Sequence, residues 1–341
     1  MSSNTTVHSR LRPDLQLRIH ELMVKARVLE ERLITMNRKG EGYFWIGGPG
    51  EEAFSVPLGL QVKKGEGLDY DYLHLHYRSS GILLAMGAEM IDSIRQMGMR
   101  ATDPYSAGRN FANHYAVKKW NVVPMAPTIE TQFSIAPGTA LAQKRHGGTG
   151  ITIVNGGDAG TAEGDFATCL VWSTRPGMEL PVLMIVMNNG FGISTLHSTQ
   201  HGVRHIADRA VPHGIVTDVV DGNDPVASWL AIEKGMDYVR RERRPYLIEA
   251  KVSRLHGHSS SSGANRVSEA DCIAAFEDRL VNEGVSTKAE LALVWEKFRS
   301  EAEAAAAQVR QEPFPEPGDE WKWTFRDDPG ERVAKSGGEG F

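Results

Sequence analysis

The sequence predicts an α/β protein with a mostly parallel sheet and helices on both faces, and three observations carry that expectation. Short apolar runs at residues 151–154, 183–187, 215–220 and 245–250 are each the length of one buried strand. Helical patterns separate them, the alternation that gives parallel strands joined by crossovers. Turn residues close the strands: Gly156-Gly157-Asp158 after the first, Asn188-Asn189-Gly190 after the second, and Asp221-Gly222-Asn223-Asp224-Pro225 after the third.

The elements follow in order. Asp14, after Pro13, is placed to cap a helix. Leu15, Ile19, Leu22, Ala26, Leu29, Leu33 and Met36 then form one apolar stripe, ended by Gly40, that suits either the chain's own core or a partner. Gly50-Glu51-Glu52-Ala53 reads as a helix start whose two carboxylates suit the dipole. Tyr77-Arg78-Ser79-Ser80-Gly81 opens a helical stretch over 82–86. Residues 104–128 have no period and read as a functional loop or contact surface. A small-residue helix over 137–145 leads into the first strand, and a polar, histidine-rich loop runs from Asn189 to about Asp208. Trp229, Ile232, Met236 and Val239 mark a helix after the Asp224-Pro225 start. Thr287 and Glu290 form a capping box for a helix carrying Leu291, Trp295, Phe298, Ala302, Ala305 and Val309. Residues 1–14 are expected to be a flexible segment, 15–312 the folded body, and 313–341 an extended tail rich in Pro, Gly and charge.

Composition excludes several classes. A net charge of -5 with no long basic run argues against nucleic acid. Cys169 and Cys272 are too few for a disulfide framework or a zinc site and fit helix positions in a reducing cytosol. Residues 1–12 carry no apolar signal core, and the apolar run at 180–187 is too short to span a membrane, so a soluble cytoplasmic protein is expected.

The chemistry concentrates at Gly157-Asp158-Ala159-Gly160 and Asn188-Asn189-Gly190-Phe191. Glycines after a strand let backbone approach a phosphate, and the following helix start offers free N–H groups. Mg²⁺ wants oxygen ligands, and Asp158, Asn189 and a backbone carbonyl after Asn189 supply them. The two turns are 31 positions apart, yet parallel strands place them at one sheet edge. Read alone, the pair fits a metal-held diphosphate and also two ordinary turns. There is no P-loop, and the glycines lack dinucleotide-binding spacing, which leaves a nicotinamide dehydrogenase a distant reading. His256-Gly257-His258-Ser259 follows the last strand, where a histidine can move protons or simply lie exposed in a flexible loop. Arg78 suits a bidentate phosphate contact or an ordinary surface position.

Taken in order, these segments resemble the alpha subunit of thiamine-diphosphate-dependent 2-oxo acid dehydrogenases, from the first helix to about Pro313. The landmarks are Gly50-Glu51-Glu52-Ala53, Tyr77-Arg78 with Gly81, Thr131-Gln132, Gly157-Asp158 with Glu163-Gly164-Asp165, Asn188-Asn189-Gly190, Val220-Asp221-Gly222 and His258-Ser259. The resemblance implies the thiamine-diphosphate-binding fold. It implies Mg²⁺ on Asp158, Asn189 and the Phe191 carbonyl, with Tyr77 and Arg78 on the diphosphate. It places Gly157, Ala159 and Gly160 against the diphosphate and Ile129 beneath the bent cofactor. His258 would face the thiazolium and assist proton transfer or acyl transfer to a lipoyl group. In branched-chain enzymes the Ile129 segment also holds K⁺, here through Thr131 and Gln132, and Ser259 matches a phosphorylated position of mitochondrial relatives. The implied partners are a beta subunit in an α2β2 heterotetramer, which supplies the carboxylate that activates the aminopyrimidine, and a lipoyl acyltransferase. A branched-chain 2-oxo acid is favoured over pyruvate or acetoin. Departures from the family pattern are Ala159 for a glycine, Ser80 for a histidine, Met187 for a charged residue, and serines for the acidic residues after Ser259. They keep open a paralogue that binds partners without turnover.

Overall fold

The computed structural model describes residues 11–126 and 128–319. The elements are α1 (Pro13–Arg38), α2 (Glu52–Gln61), β1 (Tyr72–His74), α3 (Ser80–Met86), α4 (Met90–Met97), α5 (Thr131–Arg145), β2 (Thr152–Gly157), α6 (Gly164–Ser173) and β3 (Val182–Asn188). A small hairpin, β4 (Phe191–Gly192) and β5 (Thr195–Leu196), leads to α7 (His197–Gln200). Then come β6 (Val216–Asp221), α8 (Pro225–Glu242), β7 (Tyr246–Lys251), α9 (Cys272–Asn282) and α10 (Lys288–Val309).

Five strands form one sheet in the order β1-β2-β3-β7-β6, with every pairing parallel. A central parallel strand is buried on both faces and reads as an unbroken apolar run. β3 shows this: all seven of its residues are buried. Its side chains alternate between two cores. Leu183, Ile185 and Met187 pack with residues of α2, α3 and α8, whereas Met184 and Val186 pack with residues of α5 and α6. A third core joins α1 to α4, α9 and α10.

Several expectations change. Arg12, not Asp14, is the N-cap of α1, with Pro13 inside the first turn. Proline suits that place because its ring presets φ and the missing N–H has no partner there anyway. Pro13 and Asp14 therefore belong to the folded body, and residues 1–10 of the expected flexible segment lie outside the described residues. α1 is not a one-stripe helix with a face left for a partner: it buries Ile19, Met23, Val24, Leu29 and Ile34 around its circumference in the chain's own core. α5 begins at Thr131 rather than Pro137, because Phe133 and Ala136 are buried against β2 and α6. Residues 104–126 are largely irregular, with one short 3₁₀ turn, Lys118–Trp120.

The Thr287–Glu290 capping box forms as expected. Both cysteines are buried, unpaired and helical. At the start of the tail, Pro313 accepts a backbone bond from Ala101 and Phe314 stacks on Arg100; residues 320–341 lie outside the described residues. No described helix is long and apolar enough to cross a membrane.

Candidate active site

Parallel strands end at one edge, so the turns after β2, β3 and β7 converge there. A cavity of about 210 Å³ opens between them. All ten candidate residues line it: Tyr77, Arg78, Ile129, Gly157, Asp158, Ala159, Gly160, Asn189, Phe191 and His258.

Asp158 starts the turn after β2, and its carbonyl accepts from the Thr161 hydroxyl at 2.6 Å. Its carboxyl is buried, and Oδ2 has no hydrogen-bond partner. Burial raises its pKa, opposed by His197, whose Nδ1 lies 3.5 Å away. Oδ2 accepts no hydrogen bond and has the His197 imidazole as its ion-pair neighbour, so it is a buried carboxylate oxygen that suits a cation. The two asparagines divide their work. Asn188 reaches back to Glu249 at 2.7 Å and accepts from Gly190 N, fixing the turn. Asn189 faces the cavity, with Oδ1 accepting from Phe191 N at 3.2 Å.

Arg78 is buried and links three segments. It donates through Nη1 to the Gly47 carbonyl and through Nη2 to His258 Nδ1 at 3.0 Å, and Nε lies 3.8 Å from Glu51. A guanidinium only donates, so Nδ1 of His258 accepts and the ring proton sits on Nε2. Burial and then the charges of Arg78 and Arg254 push the His258 pKa down to about 4. The imidazole is therefore neutral, with Nε2–H as its free donor. Burial also raises the Tyr77 hydroxyl, against the opposing pull of Arg78.

The His258 loop is not the flexible segment that its serines suggest. Ser260 pairs with Trp45 through both backbone and hydroxyl, and Ser262 closes a capping box on Ser259. Ser259 itself is buried, so its hydroxyl is accessible only if the loop opens. His256 turns its ring edge to Trp45. Among the described residues no group of three His, Cys, Asp or Glu side chains could hold a metal, so His256 and His258 gain no third ligand of these types.

The structure also explains the departures. The Ala159 methyl faces Gly192, where an added Cβ would lie 2.6 Å from it. Met187 points into the core shared with α2, α3 and α8, so the end of β3 brings no charge to the cavity. Ser80 donates to Glu30 at 2.6 Å, away from the cavity. Thr131 donates to the Thr128 carbonyl, and the Gln132 amide donates to the Asn155 carbonyl at 3.0 Å.

Sequence reasoning missed Glu130, His76 and Gln200, which line the cavity, and the place of Glu51 beside Arg78. Glu130 lines the cavity, is 2% exposed, and has φ 61°. Its Oε1 accepts from Gly157 N at 3.0 Å, and Oε2 has no partner. Burial pushes its pKa up to about 8, opposed by the Gly157 N–H. Glu51 is likewise pushed up to about 8 by burial, against the opposing charge of Arg78. Its neighbour Glu52 serves the scaffold instead, pairing with Arg27 at 2.6 Å.

The family model of the dehydrogenase E1 component matches residues 20–318. The chain belongs to the dehydrogenase E1 component family. Among its E1 relatives, the 2-oxoisovalerate dehydrogenase subunit alpha of Bacillus subtilis (strain 168) is 31% identical over 242 residues, 71% of this chain and 72% of the relative. The Pseudomonas aeruginosa protein of the same name is 32% identical over 256 residues, 75% of this chain and 60% of the relative. The mitochondrial subunit alpha 2 of Arabidopsis thaliana is 31% identical over 253 residues, 74% of this chain but 52% of the relative. The resemblance drawn from the ordered motifs therefore holds, and this E1 membership implies thiamine diphosphate as cofactor.

Proposed function

We propose that this chain is the alpha subunit of a branched-chain 2-oxo acid dehydrogenase that anchors thiamine diphosphate through Mg²⁺ at the β2 and β3 turns. The observation that carries the reading is the buried Oδ2 of Asp158, which accepts no hydrogen bond, beside Asn189 and Phe191 in one cavity. This donor set of carboxylate, amide oxygen and backbone carbonyl suits a hard cation whose remaining ligands are phosphate and water. Tyr77 and Arg78 then hold the diphosphate, with Gly157, Ala159 and Gly160 presenting backbone beside it, and Ile129 supports the bent cofactor. Bound there, thiamine diphosphate supplies the carbanion that cleaves the 2-oxo acid. The neutral His258, fixed by Arg78, offers its Nε2–H to the reacting oxygen and assists transfer to the lipoyl group. K⁺ at Thr131 and Gln132 belongs to the same reading, as does phosphorylation of Ser259 once its loop opens.

Partners enter through the cavity mouth. Ile129 and Ile193 are 57% and 53% exposed there, an apolar rim suited to a beta subunit in an α2β2 assembly. A lipoyl acyltransferase is the expected acceptor of the acyl group, and two buried free thiols fit a cytoplasmic location. The names of the relatives support a branched-chain substrate over pyruvate or acetoin. A second reading, a partner-binding paralogue without turnover, draws on Glu130, which already occupies the Gly157 N–H.

Co-expression with a beta subunit from the same genome and assay with an artificial electron acceptor tests the function. The proposal predicts Mg²⁺- and thiamine-diphosphate-dependent oxidation of 2-oxoisovalerate, lost in His258→Ala. Oxidation of pyruvate alone overturns the substrate, and an inactive assembly that still forms favours the paralogue.

A further inference from the structure

Two imidazoles line the cavity, His258 and His76. His76 follows β1, and its backbone N–H is shared between Ser79 Oγ at 3.2 Å and Asn155 Oδ1 at 3.0 Å. Its ring lies against that of Tyr77, with centroids 3.7 Å apart. The Tyr77 ring in turn meets the His258 ring edge-on at 6.1 Å, so both imidazoles pack on one aromatic side chain. His76 is 8% exposed, and its Nδ1 is buried without a hydrogen-bond partner. The residue lines the cavity, which leaves Nε2 as its open nitrogen.

Burial, and then the charges of Arg78, His258 and His114, hold the His76 pKa well below the usual histidine range, so the ring is neutral. Orphaned buried N–H groups are rarer than orphaned acceptors, so the ring proton is assigned to Nε2. His76 therefore offers the cavity one uncharged N–H, as His258 does. A 2-oxo acid presents two acceptors on adjacent carbons, the oxo oxygen and the carboxylate. Arg78 is occupied by the Gly47 carbonyl, by His258 and, as proposed, by the diphosphate. An uncharged donor also suits a carboxylate that must leave as CO₂. A cation there would stabilise the charge that the reaction removes, and so the ground state more than the transition state.

We propose that His76 is a substrate-binding residue: its Nε2–H holds the carboxylate of the 2-oxo acid, while that of His258 serves the oxo oxygen. This inference rests on the proposed function.

The test uses the full chain assembled with its beta subunit and loaded with thiamine diphosphate and Mg²⁺. Calorimetric titration with isovalerate, an unreactive carboxylate of the same branched chain, reads the contact without turnover. His76→Phe, which keeps a ring and removes the donor, is expected to weaken isovalerate binding about 10- to 100-fold, as loss of a hydrogen bond to a charged group does. It raises KM for 2-oxoisovalerate more than it lowers kcat, the mark of lost substrate binding. His76→Gln, which keeps an N–H donor, recovers part of both, and thiamine diphosphate binds all three proteins alike. Unchanged isovalerate affinity in His76→Phe overturns the assignment. An equal loss for isovaleramide, the uncharged analogue, overturns it in favour of packing against the branched chain. A comparable loss of thiamine diphosphate affinity overturns it in favour of a cofactor contact. If the wild-type assembly itself oxidises no 2-oxoisovalerate, the proposed function fails, and this inference with it.

Discussion

Replacing Gly160 with alanine drives a methyl into the Glu130 side chain. A Cβ on Gly160 would lie 2.1 Å from Glu130 Cγ and Oε1 and 2.4 Å from Cδ. Away from the cavity it lines, Glu130 has no room to move. On its other side a Cβ at Gly156 would meet Oε2 at 2.1 Å, and Oε1 is tied to Gly157 N. Its backbone is left-handed at φ 61°, a conformation already unfavourable for a non-glycine residue. Overpacking of this kind costs about 1–3 kcal/mol, against a gain of about 0.4–1 kcal/mol from stiffening the unfolded chain. Gly160→Ala is therefore expected to lose about 1–2 kcal/mol in urea unfolding. The clash is with one side chain, so Glu130→Ala in the same chain removes most of that loss, a coupling of at least about 1 kcal/mol in a double-mutant cycle. Strict additivity of the two substitutions, or a Gly160→Ala protein as stable as wild type, refutes the placement of Glu130 between the two glycines.

Three further outcomes follow from the scaffold. Arg27 is buried between Glu52 and Asp271, at 2.6 and 2.9 Å, so Arg27→Ala leaves uncompensated charge and costs about 3–5 kcal/mol in urea unfolding; a loss under about 1 kcal/mol contradicts the pairing. Burial raises the Glu30 pKa to about 6, with hydrogen bonds from Ser80 and Trp45 opposing. Its folded pKa exceeds its unfolded one, so its stabilising contribution is full below about pH 4.5 and lost as pH rises through about 6. Relative to wild type, Glu30→Gln gains about 2 kcal/mol between pH 4.5 and 7, and identical pH slopes in unfolding contradict it. Thr287→Ala removes the acceptor of Glu290 N and costs about 1 kcal/mol in thermal or urea unfolding, whereas Thr287→Ser stays near wild type.

Much of the architecture was legible because buried parallel strands announce themselves as apolar runs: β2, β3, β6 and β7 all fall within two or three residues of their expected bounds. β1 was not legible, since three residues carry no period. The site was legible in its glycine and asparagine turns because parallel topology alone brings strand ends together. What stayed hidden depends on partners distant in sequence. Glu51 and Glu52 look alike beside a helix start, yet one faces Arg78 at the cavity and the other Arg27 in the scaffold. Four serines after His258 read as a flexible loop until Trp45 is found bonded to one of them. Glu130 gave no signal of its own: only the folded β2 turn shows that Gly156 and Gly160 leave room for its carboxyl.

The role we propose for Asp158 is to anchor the diphosphate through a divalent cation. Calorimetric titration of the assembled subunits with thiamine diphosphate, with Mg²⁺ and with excess chelator, tests it most directly in wild type and Asp158→Ala. One site per chain is expected, abolished by the chelator and weakened at least about 100-fold in an Asp158→Ala protein that still assembles. Binding that ignores Mg²⁺, or an Asp158→Ala protein with wild-type affinity, contradicts it.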